Sequence, residues 1–155
     1  MRSLDRPDDH AAIMARLRRL RPESQRRWGR MTAAQMVCHL TDAFRNMLGE
    51  RPTSAPSRPA GWVRRRLLKW VAIYSPLPWP HGIRTRPEAD QELGGTPPAA
   101  FEADLTALIA SCDRFMSNRA KVASRPHFMF GPLTEAEWAR WAYLHMDHHL
   151  RQFGL

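Results

Sequence analysis

The stretch Thr32–Gly49, TAAQMVCHLTDAFRNMLG, carries a full set of helix signals. Thr32 and Gln35 have the T-x-x-Q spacing of a capping box, and Met31 and Met36 stand at the two positions of a hydrophobic staple. Gly49 supplies the left-handed stop. A helix is therefore expected from Ala33 to Leu48, with an apolar stripe of Met36, Leu40, Ala43 and Met47 that needs a packing partner.

Partners of the same kind lie on both sides of it. Thr134 and Glu137 form a second capping box, with Leu133 and Trp138 as its staple, and open a helix that should run to about Phe153 and stop at Gly154. Within Ala99–Arg119, the residues Phe101, Leu105, Leu108, Cys112 and Phe115 are spaced by four, three, four and three, the seam of a bundle helix. Near the start, Ile13, Leu17 and Leu20 mark a helix over Ala11–Leu20, with Asp8 and Asp9 as cap candidates and Pro22 closing it.

No segment alternates strictly in the manner of a strand, and there is no repeat or low-complexity tract. The expected class is all-α, a four-helix bundle forming a single domain over residues 1–155. The crossover between its second and third long helices should carry a short extra helix. That helix is read over Gly61–Tyr74, with Val63, Leu67, Trp70, Val71 and Tyr74 on one side and Arg64, Arg65, Arg66 and Lys69 largely elsewhere. Trp70 and Trp138 are read as core positions. Pro52, Pro56 and Pro59 interrupt Glu50–Ala60, and six prolines make Ser75–Pro98 a long loop of the kind that borders a site.

The composition limits the function. Of 155 residues, 43% are apolar, too many for a disordered basic tail. Lys and Arg number 24 against 15 Asp and Glu, a net charge of +9, and 22 of the 24 are Arg. Residues 1–80 hold 16 basic and 6 acidic groups, whereas residues 81–155 hold 8 and 9. The excess in the first half fits either an anionic partner or a solvated coat. No apolar run reaches the roughly 18 to 20 residues of a membrane span and no signal-peptide core opens the chain, so a soluble, cytoplasmic protein is expected. Cys38 and Cys112 lack a C-x-x-C spacing and read as reduced packing residues.

Three of the seven histidines fall within five residues, in Leu144-His145-Met146-Asp147-His148-His149. At about 100° per residue, Trp138, Ala142, His145, His149 and Gln152 share one side of the last helix, and Arg140, Asp147 and Arg151 the solvent side. His145 and His149 are thus an i, i+4 pair on the buried face, and His148 projects to the flank. Two stacked buried imidazoles need polar partners for each or one metal ion that satisfies both. A metal site takes at least three protein ligands, and His39 is the best third candidate. It lies on the edge of its helix's apolar stripe, beside the polar flank of Gln35, Asp42 and Asn46; from that helix alone, a ligand and an incidental histidine are equally open. His127 is a weaker fourth candidate, and His10 and His81 read as incidental. Met146 replaces the glutamate of an H-E-x-x-H motif, which argues against a zincin protease, and no G-x-S-x-G, P-loop or G-x-G-x-x-G appears.

The segments Trp28-Gly29-Arg30-Met31-Thr32-Ala33-Ala34-Gln35-Met36-Val37-Cys38-His39-Leu40, Phe130-Gly131-Pro132-Leu133-Thr134-Glu135-Ala136-Glu137-Trp138 and Leu144–Phe153 resemble the DinB-like (YfiT-like) superfamily of metal-dependent enzymes, and most of all a branch of unknown function. The resemblance implies a four-helix bundle with a divalent ion held by three histidines, here His39, His145 and His149. Many members carry a His-Arg-Gly-Gln run at the last ligand, where this chain reads His149-Leu150-Arg151-Gln152. The superfamily includes transferases and an isomerase that use low-molecular-weight thiols, and its name implies no DNA binding.

These readings converge on a metal-dependent transferase or hydrolase acting on a small molecule, with zinc or nickel as the expected ion and iron or manganese as alternatives. Three neutral donors leave an open position at which an ion can acidify a water or thiol. Asp42 is a candidate base or orienting carboxylate for His39, and Gln152 a candidate for orienting a bound ligand. The expected partners are a small-molecule substrate, with a low-molecular-weight thiol as one form, and a second copy in a homodimer; no specific nucleic acid is expected. The alternative is a non-enzymatic helical module that binds nucleic acid through the basic half of the chain, or an anionic membrane surface through Trp62–Tyr74 with Arg64, Arg65 and Arg66.

Overall fold

Thr32 accepts from the backbone N–H of Gln35 at 3.2 Å, and the Gln35 side chain accepts from the N–H of Thr32 at 2.8 Å. The same exchange joins Thr134 and Glu137. Between these caps and their stops lie the two best-marked helices, α2 (Ala33–Leu48) and α6 (Glu135–Gln152). The remaining helices are α1 (Pro7–Leu17), α3 (Trp62–Lys69), α4 (Phe101–Ser117) and α5 (Arg119–Ala123). A π-helical turn, Trp70–Tyr74, extends α3, and a 3-10 turn covers Pro87–Ala89.

The computed structural model describes residues 1–52, 61–83 and 85–155, and the interruptions assigned to Pro56 and Pro59 lie outside them. Among the described residues there is no strand, only an isolated bridge between His127 and Gly131. The class is all-α, as the patterns predict. Four long helices, α1, α2, α4 and α6, carry the core, and the crossover from α2 to α4 carries α3. α4 lies along α2, with the rings of Phe44 and Phe115 5.5 Å apart between them, and α6 packs against α1, α2, α5 and the π-helical turn.

The largest departure concerns α3. Its stripe of Val63, Leu67, Trp70, Val71 and Tyr74 is present but faces solvent, and Trp70, read as a core position, is 60% exposed. The opposite side makes the contacts: Ile73 is fully buried, and Leu68 and Ala72 pack against the core. Periodicity reports that a stripe exists, while tertiary contacts decide which way it turns. Trp138, by contrast, is buried as expected.

Smaller corrections have local causes. α1 starts at Pro7, whose fixed φ suits the first helical position, and Arg6 precedes it without a side-chain cap. Asp8 and Asp9 are therefore first-turn acids facing the helix dipole rather than caps. The helix ends at Leu17, although Leu20 beyond it is fully buried. α4 stops at Ser117 rather than Arg119, and α5 follows as a separate short helix that the sequence reading does not include. α6 is more enclosed than its polar residues suggest. Asp147 pairs with Arg16 of α1 at 2.6 Å, and the Arg140 guanidinium donates to the carbonyls of Ile73 and Arg2. Both were expected on a free solvent side. Cys38 and Cys112 are free and buried, and burial pushes both thiols up to about 12.

Candidate metal centre

α2 and α6 bring His39, His145 and His149 together so that one ligating nitrogen of each lies within 4.8 Å of the others. The Nε2 atoms of His39 and His145 are 3.2 Å apart. That separation matches the roughly 3.3 Å edge of a tetrahedron whose ligands stand about 2.0–2.1 Å from its centre. His39 and His149 are buried, and His145 is half-buried.

Two of the rings are held in one tautomer. The Nδ1 of His39 lies 2.8 Å from the carbonyl oxygen of Ala89. A carbonyl can only accept, so Nδ1 carries the proton and Nε2 keeps its lone pair. The Nδ1 of His149 lies 3.0 Å from Oε1 of Gln152, whose Nε2 donates to the Trp28 carbonyl at 2.9 Å. This second bond fixes which end of the amide is oxygen, so His149 also donates from Nδ1 and keeps Nε2 as a donor to a metal. Gly29 makes room for the arrangement. It has φ +74°, and a Cβ there would stand 2.6 Å from Gln152 Nε2.

Burial is the main cause that lowers the pKa of His39, and it drives those of His145 and His149 well down, helped by the neighbouring imidazoles. Neutral imidazole is the form that binds a metal ion.

Asp42 is fully buried, and its hydrogen bonds among the described residues go to Arg51 and the loop rather than to His39. It accepts from Arg51, from the Thr96 backbone N–H at 2.7 Å, from the Thr96 hydroxyl at 2.7 Å and from Gln91 at 3.3 Å. Asp90, next to Ala89, is paired with Arg30. The proline-rich loop is thus fastened just after the carbonyl that orients His39. The Gln152 amide bridges His149 and the Trp28 carbonyl.

The other histidines divide. His127 accepts at Nδ1 from the N–H groups of Met129 at 3.2 Å and Phe130 at 3.3 Å, which makes it a turn residue of the 127–131 bridge rather than a fourth ligand. His10 is not part of the cluster. His81, read as incidental, stacks on Trp28 with centroids 4.0 Å apart and lies 6.0 Å from the ring of His148. With Trp79, 6.0 Å from the rings of His145 and His148, and Trp141, 4.7 Å from His145, these rings form an aromatic rim beside the three histidines. The sequence signal for Trp79 and His81 was only their place in a proline-rich loop.

A family model described as "Protein of unknown function (DUF1569)" matches residues 1–154. No curated protein and no solved structure matches the chain.

Proposed function

Since the chain belongs to the DUF1569 family, whose description states no activity, its chemistry has to be argued from the site, and we propose that it is a metal-dependent enzyme with His39, His145 and His149 as ligands. The observation that carries this reading is the pair of fixed tautomers. Ala89 and Gln152 each engage an Nδ1–H, which leaves the Nε2 lone pairs of His39 and His149 free for an ion, and that of His39 faces Nε2 of His145. Second partners of this kind are typical of metal-bound histidines and raise their basicity. The placement of the family in the DinB/YfiT-like clan supports the same reading.

The chemistry of the donor set fits a borderline divalent ion, with zinc or nickel preferred over iron or manganese. A bound ion would supply Lewis acidity and lower the pKa of a water or thiol in its open position. The chain's own residues do the rest. Ala89 and Gln152 keep two ligands in register, Asp42 and Arg30 hold the loop that carries Ala89, and Trp28, Trp79, His81 and Trp141 flank the histidines. A small molecule with a flat or apolar portion suits that rim, and thiol transfer or hydrolysis are the reactions proposed.

The basic half does not favour a nucleic-acid module. Arg16 and Arg51 are largely enclosed and spent on Asp147 and Asp42, and the exposed Arg30 is paired with Asp90. The test is turnover by tag-free protein loaded with zinc, nickel, manganese or iron, assayed with thiol acceptors and hydrolysable esters or amides. Metal-dependent turnover that disappears in His145→Ala and His149→Ala supports the enzyme reading. Loaded protein inert in every assay contradicts it.

A further inference from the structure

The exposed stripe of α3 and its π-helical extension calls for an occupant. Val63, Leu67, Trp70 and Val71 are between 46% and 61% exposed, although each would be buried on an ordinary bundle helix. At about 100° per residue they form one continuous face, bordered by Arg66 on one edge and Arg64 on the other. Both arginines are exposed, and neither has an ion pair among the described residues. Trp62, 72% exposed, stands at the helix start. The helix is anchored from behind by Ile73 and by Lys69 bonded to Glu137 at 2.6 Å, and Tyr74, at the end of the stripe, is tied to Glu137 at 2.7 Å through its hydroxyl, so the face is presented by a fixed element.

We propose that this face docks the protein on an anionic lipid surface. Apolar and indole side chains flanked by cations are the pattern of a helix lying in the membrane interface, with its apolar side among the acyl chains and its arginines at the phosphates. Charge complementarity selects this occupant. The edges of the face carry Arg64 and Arg66 and no acid, so pairing the same face of two copies brings like charges together. Nucleic acid would satisfy the arginines but leave Val63, Leu67 and Val71 against phosphates. No helix of the described residues is long and apolar enough to cross a membrane, so the attachment is peripheral. This inference is independent of the metal centre.

Sedimentation of the full-length protein with vesicles tests it, comparing phosphatidylcholine alone with phosphatidylcholine mixed with phosphatidylglycerol. Binding is expected only to the anionic mixture and should fall with added salt. Arg64→Glu with Arg66→Glu should weaken partitioning at least about tenfold, since each cation near such a surface contributes strongly. Leu67→Ser with Trp70→Ser should do the same, and both double variants should keep the parent's circular dichroism because the side chains are exposed. No binding to the anionic vesicles, or binding that survives both double variants, overturns the proposal. So does a dimer, seen by light scattering, that the Leu67 and Trp70 substitutions dissociate, or retention on DNA that the arginine substitutions abolish while vesicles are ignored.

Discussion

The Nδ1–H of His39 donates to the carbonyl oxygen of Ala89 at 2.8 Å, across fifty positions of chain. One hydrogen bond therefore links a residue in the middle of α2 to a 3-10 turn in the loop before α4. It sets the tautomer of a candidate ligand with a group that any amino acid could supply, so its strength depends on how firmly the loop is held.

Asp42 is the main fastening of that loop, and removing it should be felt twice. Asp42→Ala leaves the largely buried Arg51 guanidinium with only the neutral oxygens of Thr96 and Gly94 and the Thr96 N–H without its acceptor, a loss of about 3 kcal/mol for a broken buried pair. Urea unfolding should show that loss. Zinc titration should show a weaker site, although the hydrogen bonds of Asp42 go to Arg51 and the loop and not to the histidines.

Gln152→Ala should leave the fold intact and weaken metal binding about 10- to 100-fold, the usual effect of losing a partner of a ligating histidine. Gly29→Ala should act on the same bond from the other side. Its φ of +74° disfavours a side chain, and the added Cβ would press on Gln152 Nε2. Competition with a chelator measures both.

The fold was legible where signals are local. Two capping boxes and the seam from Phe101 to Phe115 fix α2, α4 and α6 because each depends on residues within a turn or two of one another. His145 and His149 were legible for the same reason. The outward turn of Trp70, the orienting role of Ala89 and the stacking of His81 on Trp28 depend on contacts between distant segments, which spacing along one helix does not encode.

Acid should destabilise the metal-free protein. Burial holds His39, His145 and His149 below the ordinary histidine value and, with the Arg86 charge adding to it, holds His127 at about 3. The unfolded chain binds protons near pH 6.5, so stability from these groups is complete above that value and is lost as pH falls toward the folded values. Each unit of separation contributes about 1.4 kcal/mol per group at the limit. Urea midpoints of chelator-treated protein should fall between about pH 7 and pH 5, more gently in His127→Asn.

Both thiols should be silent in the native protein. With Cys38 and Cys112 buried and pushed up to about 12, a thiol-specific chromogenic disulfide should react with neither at neutral pH, and with both once the chain is unfolded. Rapid native reaction at Cys38, one residue from His39, would contradict the packing described.

The most direct measurement is zinc titration of tag-free, chelator-stripped protein beside His39→Ala, His145→Ala and His149→Ala, each shown to be folded by circular dichroism. The account predicts one ion per chain for the parent and binding weakened about 100-fold or more in every variant, since a site reduced to two protein ligands falls below the number a stable centre requires. A parent that takes up no ion, or a His39→Ala variant that binds as tightly as the parent, would contradict it.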